Sequence, residues 1–166
     1  MSGVLSIRRA SESDVERITD IYNEAIRTTT ATFDIEPKSV SERLEWFRSH
    51  GEKYPILVAA VEEGVVGWAS LSPWSDRRAY EGTAETSFYV KDGFRGRGIG
   101  RRLKEEIIKE AQRLGFHTLI ARVAGESSES VHLNESFGFS NVGTLREVGH
   151  KFGRFIDVHI MQKMLG

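Results

Sequence analysis

The sequence predicts an α/β (α+β) domain in which helices cover both faces of a mixed, mostly antiparallel sheet. Three observations support this fold class. Helical and strand-like patterns follow one another in the order βααβββαβαββ, a tight hairpin signal joins two adjacent strands, and no internal repeat or low-complexity segment interrupts them. The 166 residues are enough to bury a core without disulfides or a structural metal. We therefore expect one domain over residues 1–166.

The first part of the chain predicts a strand followed by two helices. The strand covers Val4–Arg9, and a capping box at Ser13–Glu16 opens the first helix. A second box at Ser39–Glu42 opens a helix that carries Val40, Leu44 and Phe47, after a loop over 28–36. The first helix has an apolar stripe at helical spacing, formed by Val15, Ile18, Ile21, Tyr22, Ala25 and Ile26.

The remaining elements are predicted from β-rich runs and one amphipathic helix. Strands at Pro55–Val61 and Val65–Leu71 flank a tight hairpin, and a long loop over 72–83 follows them. A helix from about Gly98 to Leu114 has one apolar face and stops at Gly115. The other predicted elements are strand Ala84–Val90, strand Thr118–Ala124, helix Ser130–Ser136, and a closing antiparallel pair, Asn141–Val148 with Phe155–Met164.

Composition and charge argue against several functional classes. A net charge of −1, from 23 basic and 24 acidic residues, gives no basic excess for binding nucleic acid. The absence of cysteine removes disulfides and thiolate metal sites, and it is compatible with a reducing compartment. No signal-peptide pattern or run of about 18 apolar residues occurs. His132, His150 and His159 lack a metal-ligand spacing such as HExxH. We expect a cytoplasmic protein without metal, nucleic acid or membrane partners.

The run Arg95–Gly100 (RGRGIG), between a predicted strand and a predicted helix, is the strongest functional signal. Its glycines let the backbone approach a ligand, and the first N–H groups of the next helix favour phosphate. A GxGxxG motif fails because its last position holds Arg101 or Leu103, and a P-loop fails because Arg101 follows Gly100. A coenzyme pyrophosphate loop remains, and so does a glycine-rich turn that only joins the strand to the helix.

The spacing RxxGxG, met by Arg95, Gly98 and Gly100, resembles the coenzyme A pyrophosphate loop of the GCN5-related N-acetyltransferase (GNAT) family. The loop also has the family's position, after the fourth strand and before the third helix. Similarity to the phosphinothricin and methionine sulfoximine acetyltransferase subgroup covers nearly the whole chain. It is carried by segments 32–37, 78–80, 83–85, 130–139 and 148–153, together with Asp157.

This resemblance implies the GNAT fold, acetyl-CoA as co-substrate, and direct transfer of acetyl to the α-amine of a small amino acid or analogue. It also implies a homodimer, because relatives often dimerise. Two alternatives remain open. One is a GNAT enzyme that acts on a protein N-terminus or an antibiotic amine, and the other is a coenzyme A-binding sensor without catalysis.

The resemblance also implies roles for individual residues. Glu85 matches the glutamate thought to act as general base, directly or through water, with a surface glutamate on a strand edge as the alternative. By strand alternation, Glu85 and Tyr89 share one face, while Phe88 and Val90 share the other. The backbone around Phe88 would pair with pantetheine amides. The residues expected to bind the coenzyme are Phe88, Tyr89, Val90, Arg95, Gly96, Arg97, Gly98, Ile99, Gly100, Arg101, Ser127, Ser130 and Asn134.

Two positions depart from the family pattern. Asn134 stands where the subgroup has histidine and many acetyltransferases have tyrosine, and Ser127 stands where relatives usually have asparagine. An amide can hydrogen-bond a thiolate but cannot protonate it as an acid does. The source of the proton for the leaving thiolate is therefore open between water and Tyr89.

The acceptor amine is expected to lie near Phe33, Arg78 and Tyr80, which correspond to substrate-side positions of the subgroup. A guanidinium at Arg78 suits a carboxylate, and Phe33 offers an apolar wall. Lys151 and Asp157 match the terminal motif of the subgroup. The alternative for these two residues is charge pairing across the closing hairpin.

Overall fold

The structure, a computed structural model, describes residues 3–166 as one sheet with helices on both faces. Within that range the seven strands, β1 to β7 in chain order, are Ser6–Arg9, Ile56–Val61, Gly64–Pro73, Thr83–Val90, Thr118–Ala124, Ser140–Lys151 and Arg154–Met164. The four α-helices described there, α1 to α4, are Val15–Thr28, Val40–His50, Ile99–Arg113 and Ser128–Ser136. The predicted order of elements is confirmed.

The strands lie in the order β1-β2-β3-β4-β5-β7-β6. Every neighbouring pair is antiparallel except β4 and β5, which are parallel and lie at the centre of the sheet. The sheet is therefore mixed and mostly antiparallel, as predicted. The parallel pair requires a crossover connection, and α3 provides it.

Two apolar clusters occupy the two faces of the sheet. The cluster on one face joins α3 to the central strands and includes Leu71, Ala84, Leu103, Ile107 and Leu119, all fully buried. The other joins α1 to β2 and β3 and has Ile18, Ile26, Val58 and Trp68 at its centre. Within residues 3–166, none of the helices has both the length and the apolar character that a membrane span requires.

The two predicted capping boxes have different outcomes. The box before α2 is confirmed, because Ser39 N–H donates to Glu42 Oε2 at 2.7 Å and Glu42 N–H donates to Ser39 Oγ at 3.1 Å. The box predicted at Ser13–Glu16 is wrong. Instead Ser11 N–H donates to Asp14 Oδ2 at 2.8 Å, at the start of a short 3-10 turn that leads into α1.

The apolar face predicted for α2 is also wrong in part. Val40 is 46% exposed, whereas Arg43 is buried and lies with its guanidinium carbon 3.5 Å from the centre of the Trp46 ring. A second ring, that of Tyr22, lies 4.4 Å from the same carbon. Burial lowers the pKa of Arg43 to about 10. Cation–π contact thus allows a charged residue to lie on the buried face of α2, which the pattern assigns to Val40, Leu44 and Phe47.

Lys151 links the closing hairpin, formed by β6 and β7, to the loop that follows α1. Its Nζ donates to the backbone carbonyls of Thr29 and Thr32, both at 2.8 Å. Asp157 Oδ1 accepts the N–H of Glu147 at 2.8 Å, where β6 bulges away from β7. Both side chains therefore bind backbone groups, and the expected charge pairing across the hairpin is wrong.

Candidate active site

A cleft opens where β4 and β5 separate. The two strands pair only over Thr83–Glu85 and Thr118–Ile120, although β4 continues to Val90. The opposite edge of β4 pairs with β3 along its whole length. Among the described residues, the β4 edge that faces β5 therefore has no strand partner from Thr86 onward. Its N–H and C=O groups suit an extended ligand that carries amides, bound as an added strand.

The amino-terminal end of α3 closes one end of this cleft. Gly98 adopts a φ of +80°, which side-chain-bearing residues rarely adopt, as the chain enters the helix. A Cβ at Gly100 would lie 3.0 Å from Cε2 of Phe88, so glycine allows α3 to pack closely on β4. Arg95 Nε donates to the carbonyl of Val90 at 3.1 Å and anchors the loop. The unpaired N–H groups of the first helical turn form a site suited to an anion.

The cleft has a volume of about 590 Å³ and brings together nearly all the residues predicted to bind the coenzyme. Those that line it are Phe88, Tyr89, Val90, Arg95, Gly96, Gly98, Ile99, Gly100, Arg101, Ser127, Ser130 and Asn134. Arg97 is the exception, since it lies outside the lining with its guanidinium carbon 5.0 Å from the centre of the Phe94 ring. Binding of the coenzyme stays a prediction for all of these residues, Arg97 included.

Glu85 is the last residue of β4 that pairs with β5 and directly precedes Thr86 of the cleft lining, but it lies outside that lining itself. Arg122 Nε and a terminal guanidinium nitrogen donate to its two carboxylate oxygens at 2.6 and 2.7 Å. The Glu85 side chain is only 14% exposed and β4 is an interior strand, so the alternative of a surface glutamate on an edge is wrong. The hydrogen bond to Glu85 raises the pKa of Arg122. Arg122 lines the cleft, and the sequence analysis missed it.

Lys104 is a second cleft residue that the sequence analysis missed. Its side chain is almost fully buried, and its Nζ donates to Thr86 Oγ1 at 2.7 Å. The same nitrogen lies 4.2 Å from the centre of the Phe139 ring. Burial lowers the pKa of Lys104 to about 7. Apolar periodicity does not single it out, because Lys104 is a charged residue on the same face of α3 as the apolar Ile108, four residues later.

Asn134 presents a buried acceptor to the cleft. Its side-chain NH₂ donates to the carbonyl of Ser130 at 2.8 Å, whereas its Oδ1 is buried and has no hydrogen-bond partner among residues 3–166. A buried polar atom without a partner costs free energy. Asn134 Oδ1 is therefore poised to accept a hydrogen bond from a donor on a bound ligand.

Tyr89 lies on the α1 side of β4, as strand alternation predicts. Its ring packs against Trp68, with ring centres 4.9 Å apart, and against Tyr22 at 5.3 Å. Thr86 and Phe88 instead face α3, through Lys104 and Gly100. Burial raises the pKa of the Tyr89 hydroxyl.

The three residues predicted to bind the acceptor lie outside the cleft lining. The Phe33 ring covers Gly149 of β6, where an added Cβ would overlap it. Arg78 is 94% exposed by side chain and lies 3.5 Å from a carboxylate oxygen of Glu81. Tyr80, in the same 3-10 turn, is 46% exposed. The structure does not bring these side chains together at the cleft, and their role stays a prediction.

Comparison with known proteins places the chain among acetyltransferases. Residues 7–160 match the profile of the acetyltransferase (GNAT) domain. An L-methionine sulfoximine/L-methionine sulfone acetyltransferase of Pseudomonas aeruginosa is 38% identical over 159 residues, which cover 95% of this chain and 92% of that protein. A phosphinothricin N-acetyltransferase of Streptomyces coelicolor is 38% identical over 158 residues, covering 93% of this chain and 92% of that protein.

A solved structure of an acetyltransferase has the same fold as this chain. The chain superposes on a putative acetyltransferase of Salmonella typhimurium, solved with its cofactor acetyl-CoA, with a TM-score of 0.94. The two sequences are 34% identical, and the match covers 98% of this chain and 94% of that one.

Proposed function

The chain belongs to the GNAT acetyltransferase family, and from this membership we propose that it transfers acetyl from acetyl-CoA to the α-amine of a small amino acid or analogue. Acceptors of the phosphinothricin, methionine sulfoximine and methionine sulfone type fit the relatives' activities. The observation that supports the proposal is the β4–β5 cleft, which has a helix N-terminus at one end and is lined by Arg122, the hydrogen-bond partner of the Glu85 carboxylate.

The residues of the cleft fit acetyl-CoA in three respects. The first turn of α3 offers N–H groups to the diphosphate, and Arg95 and Arg101 add positive charge beside them. The unpaired edge of β4 from Thr86 to Val90 matches the amides of the pantetheine arm. The buried Oδ1 of Asn134 has no hydrogen-bond partner among residues 3–166 and can accept a hydrogen bond from a donor group of the coenzyme. When bound, acetyl-CoA supplies the activated acyl group.

In the proposed mechanism, Glu85 removes the proton of the attacking amine, directly or through water. Arg122 fixes the orientation of its carboxylate through two hydrogen bonds. A backbone N–H in the stretch from Phe88 to Val90 would stabilise the negative charge that develops on the acetyl oxygen. The chain contains no cysteine, so no acetyl-cysteine intermediate can form. We infer that acetyl passes directly from acetyl-CoA to the amine while both substrates are bound.

A thiol-release assay tests the proposed function. Purified protein and acetyl-CoA are incubated with phosphinothricin, methionine sulfoximine and methionine sulfone, and in parallel with a peptide that has a free N-terminus and with an aminoglycoside. We expect coenzyme A release with the amino acid analogues and acetylation of their α-amine by mass spectrometry. Preference for the peptide or the aminoglycoside would contradict the acceptor class. Binding of acetyl-CoA without any transfer would instead favour the sensor.

We also propose that the protein acts in the cytoplasm as a homodimer. Support for dimerisation comes from apolar side chains that are about half exposed or more on the β6–β7 hairpin: Val142, Leu145, Val148, Phe152 and Phe155. Exposed apolar patches of this kind commonly mark interfaces. Light scattering after size-exclusion chromatography measures the assembly state, and a monomeric mass at micromolar concentration would contradict the dimer.

A further inference from the structure

Lys104 places an ammonium group in the cleft, where the roles assigned above do not use it. Its side chain is 1% exposed, and its Nζ contacts the Thr86 hydroxyl and the Phe139 ring. Within residues 3–166 no carboxylate forms an ion pair with this nitrogen, and burial alone accounts for its lowered pKa. A buried cation without an anionic partner destabilises a fold. Stability therefore does not explain a lysine at this position.

The position of Lys104 along the cleft matches the end of the coenzyme arm. Helix α3 runs back along β4, so that Gly100 packs on Phe88 and Lys104 reaches Thr86. Lys104 thus lies four residues, or about 6 Å along the helix axis, beyond Gly100. Thr86 directly follows the point where β4 and β5 stop pairing. An arm that runs along β4 from the helix N-terminus brings its thioester to this point.

We propose that Lys104 is the general acid that protonates the departing thiolate of coenzyme A. This inference rests on the proposed acetyltransferase function. The amine nitrogen forms a bond to the carbonyl carbon of the acetyl group. The carbon–sulfur bond then breaks, and the electron pair of that bond goes to sulfur. The sulfur then takes a proton from Lys104 Nζ, while the proton lost by the amine goes to Glu85 or to water. Solvent reprotonates Lys104 before the next turnover.

The other groups in the cleft are less suited to this task. Asn134 already donates its NH₂ to the Ser130 carbonyl, and its Oδ1 has no proton to give. Tyr89 lies on the opposite face of β4, and burial raises its pKa. By contrast, an acid with a pKa of about 7 matches a thiolate whose conjugate acid has a pKa near ~8.5 by analogy with cysteine. The other titratable side chains lining the cleft are Arg95, Arg101, Arg122, Glu129 and His132.

Replacing Lys104 by methionine tests the proposal, with Lys109→Met as the matched control. Lys109 lies on the same helix but is exposed and pairs with Glu105 and Glu106. We expect Lys104→Met to lower kcat by about 10- to 100-fold, at or below the lower end of the usual range for general acids, because a thiolate leaves readily. The KM for acetyl-CoA should change by less than about twofold. Lys109→Met should keep the kcat of the parent.

The pH profile of kcat separates an acid from a structural residue. In the parent, kcat should fall as pH rises above about 7, because Lys104 must carry a proton to act. This fall should be absent in Lys104→Met, whose kcat should rise with pH as the acceptor amine loses its proton. Lys104→Gln provides a second test if the methionine variant does not fold.

Three outcomes would overturn the proposal. An active parent whose kcat and pH profile survive the substitution removes the role of Lys104 and leaves the acetyltransferase function intact. A higher KM for acetyl-CoA with unchanged kcat makes Lys104 a binding residue. A parent that binds acetyl-CoA but transfers nothing overturns the proposed function, and the role of Lys104 with it.

Discussion

Substitution of Glu85 by glutamine is the most direct test of the proposed chemistry. The change keeps the size of the side chain but removes the base and one half of a bidentate ion pair. In the parent, Arg122 holds the two carboxylate oxygens at 2.6 and 2.7 Å, and the Glu85 side chain is only 14% exposed. The variant should therefore affect both catalysis and stability, and the structure gives a separate magnitude for each.

The catalytic effect should be much larger than the effect on stability. A positioned general base contributes about 10²- to 10⁴-fold, so we expect kcat to fall by about 100-fold, or roughly 2.7 kcal/mol in the activation free energy. Loss of the ion pair should lower the free energy of unfolding by about 1 kcal/mol, because Arg122 is 57% exposed and solvent screens it. With 166 residues and an unfolding entropy of about 2.1 cal/mol/K per residue, this corresponds to roughly 3 °C in Tm.

The chain offers a matched control in Glu126. Its carboxylate receives two hydrogen bonds from Arg154, at 2.7 and 2.6 Å, but it lies outside the cleft lining. Steady-state thiol release and thermal unfolding should be measured for both glutamine variants. We expect Glu126→Gln to keep the parent's kcat. If Glu85→Gln also keeps it at every pH, Glu85 is not the base and the assignment fails.

Three further predictions each concern a single residue: Gly100 and Asp14 through contacts in the structure, and Arg78 through the resemblance to the subgroup. Gly100→Ala should lower the free energy of unfolding by about 1 kcal/mol and raise the KM for acetyl-CoA, because the added methyl would lie 3.0 Å from the Phe88 ring; an unchanged melting temperature and KM would contradict this packing. Arg78→Ala should raise the KM for the amino acid about tenfold without changing that for acetyl-CoA, and equal KM values for the amino acid would remove Arg78 from the acceptor site. The Arg8 guanidinium holds the pKa of Asp14 below its ordinary value, so this pair stabilises the fold above about pH 4 and the contribution is lost as pH falls. Asp14→Asn should thus lower Tm at pH 7 and lower it progressively less as pH falls below about 4; an equal loss at every pH would rule out the ion pair as the cause.

The sequence predicts the order of elements well because local signals define most of them. The two residues Glu62 and Glu63 connect β2 and β3, as the hairpin signal predicts. The same kind of signal places the start of α1 incorrectly, because several hydroxyl and carboxyl side chains precede that helix. Ser13 has the spacing of a capping residue, but its hydroxyl pairs with that of Ser11 at 2.8 Å. A choice among adjacent capping residues depends on the direction in which the chain enters the helix.

Charged residues inside the fold explain most of what pattern analysis misses. Arg43 and Lys104 interrupt otherwise apolar faces, and a search for apolar periodicity passes over both. Arg43 is accommodated by the Trp46 ring, and Lys104 by the Thr86 hydroxyl and an aromatic ring. Arg122 could not be connected with Glu85 from the sequence alone. That pair depends on the parallel register between β4 and β5, which is set by tertiary packing.

The alternation of side chains along β4 also separates Glu85, the proposed base, from Lys104, the proposed acid. Glu85 and Thr86 are consecutive, so their side chains point to opposite faces of the sheet. Tyr89 shows that the Glu85 face is the one covered by α1, and the contact of Thr86 with Lys104 identifies the other face as that of α3. In the proposed mechanism, the proton of the amine would thus leave on one side of the strand, and the proton for sulfur would arrive from the other. This separation would let the proposed base and acid hold opposite charges at neighbouring positions without forming an ion pair, which would suppress the reactivity of both groups.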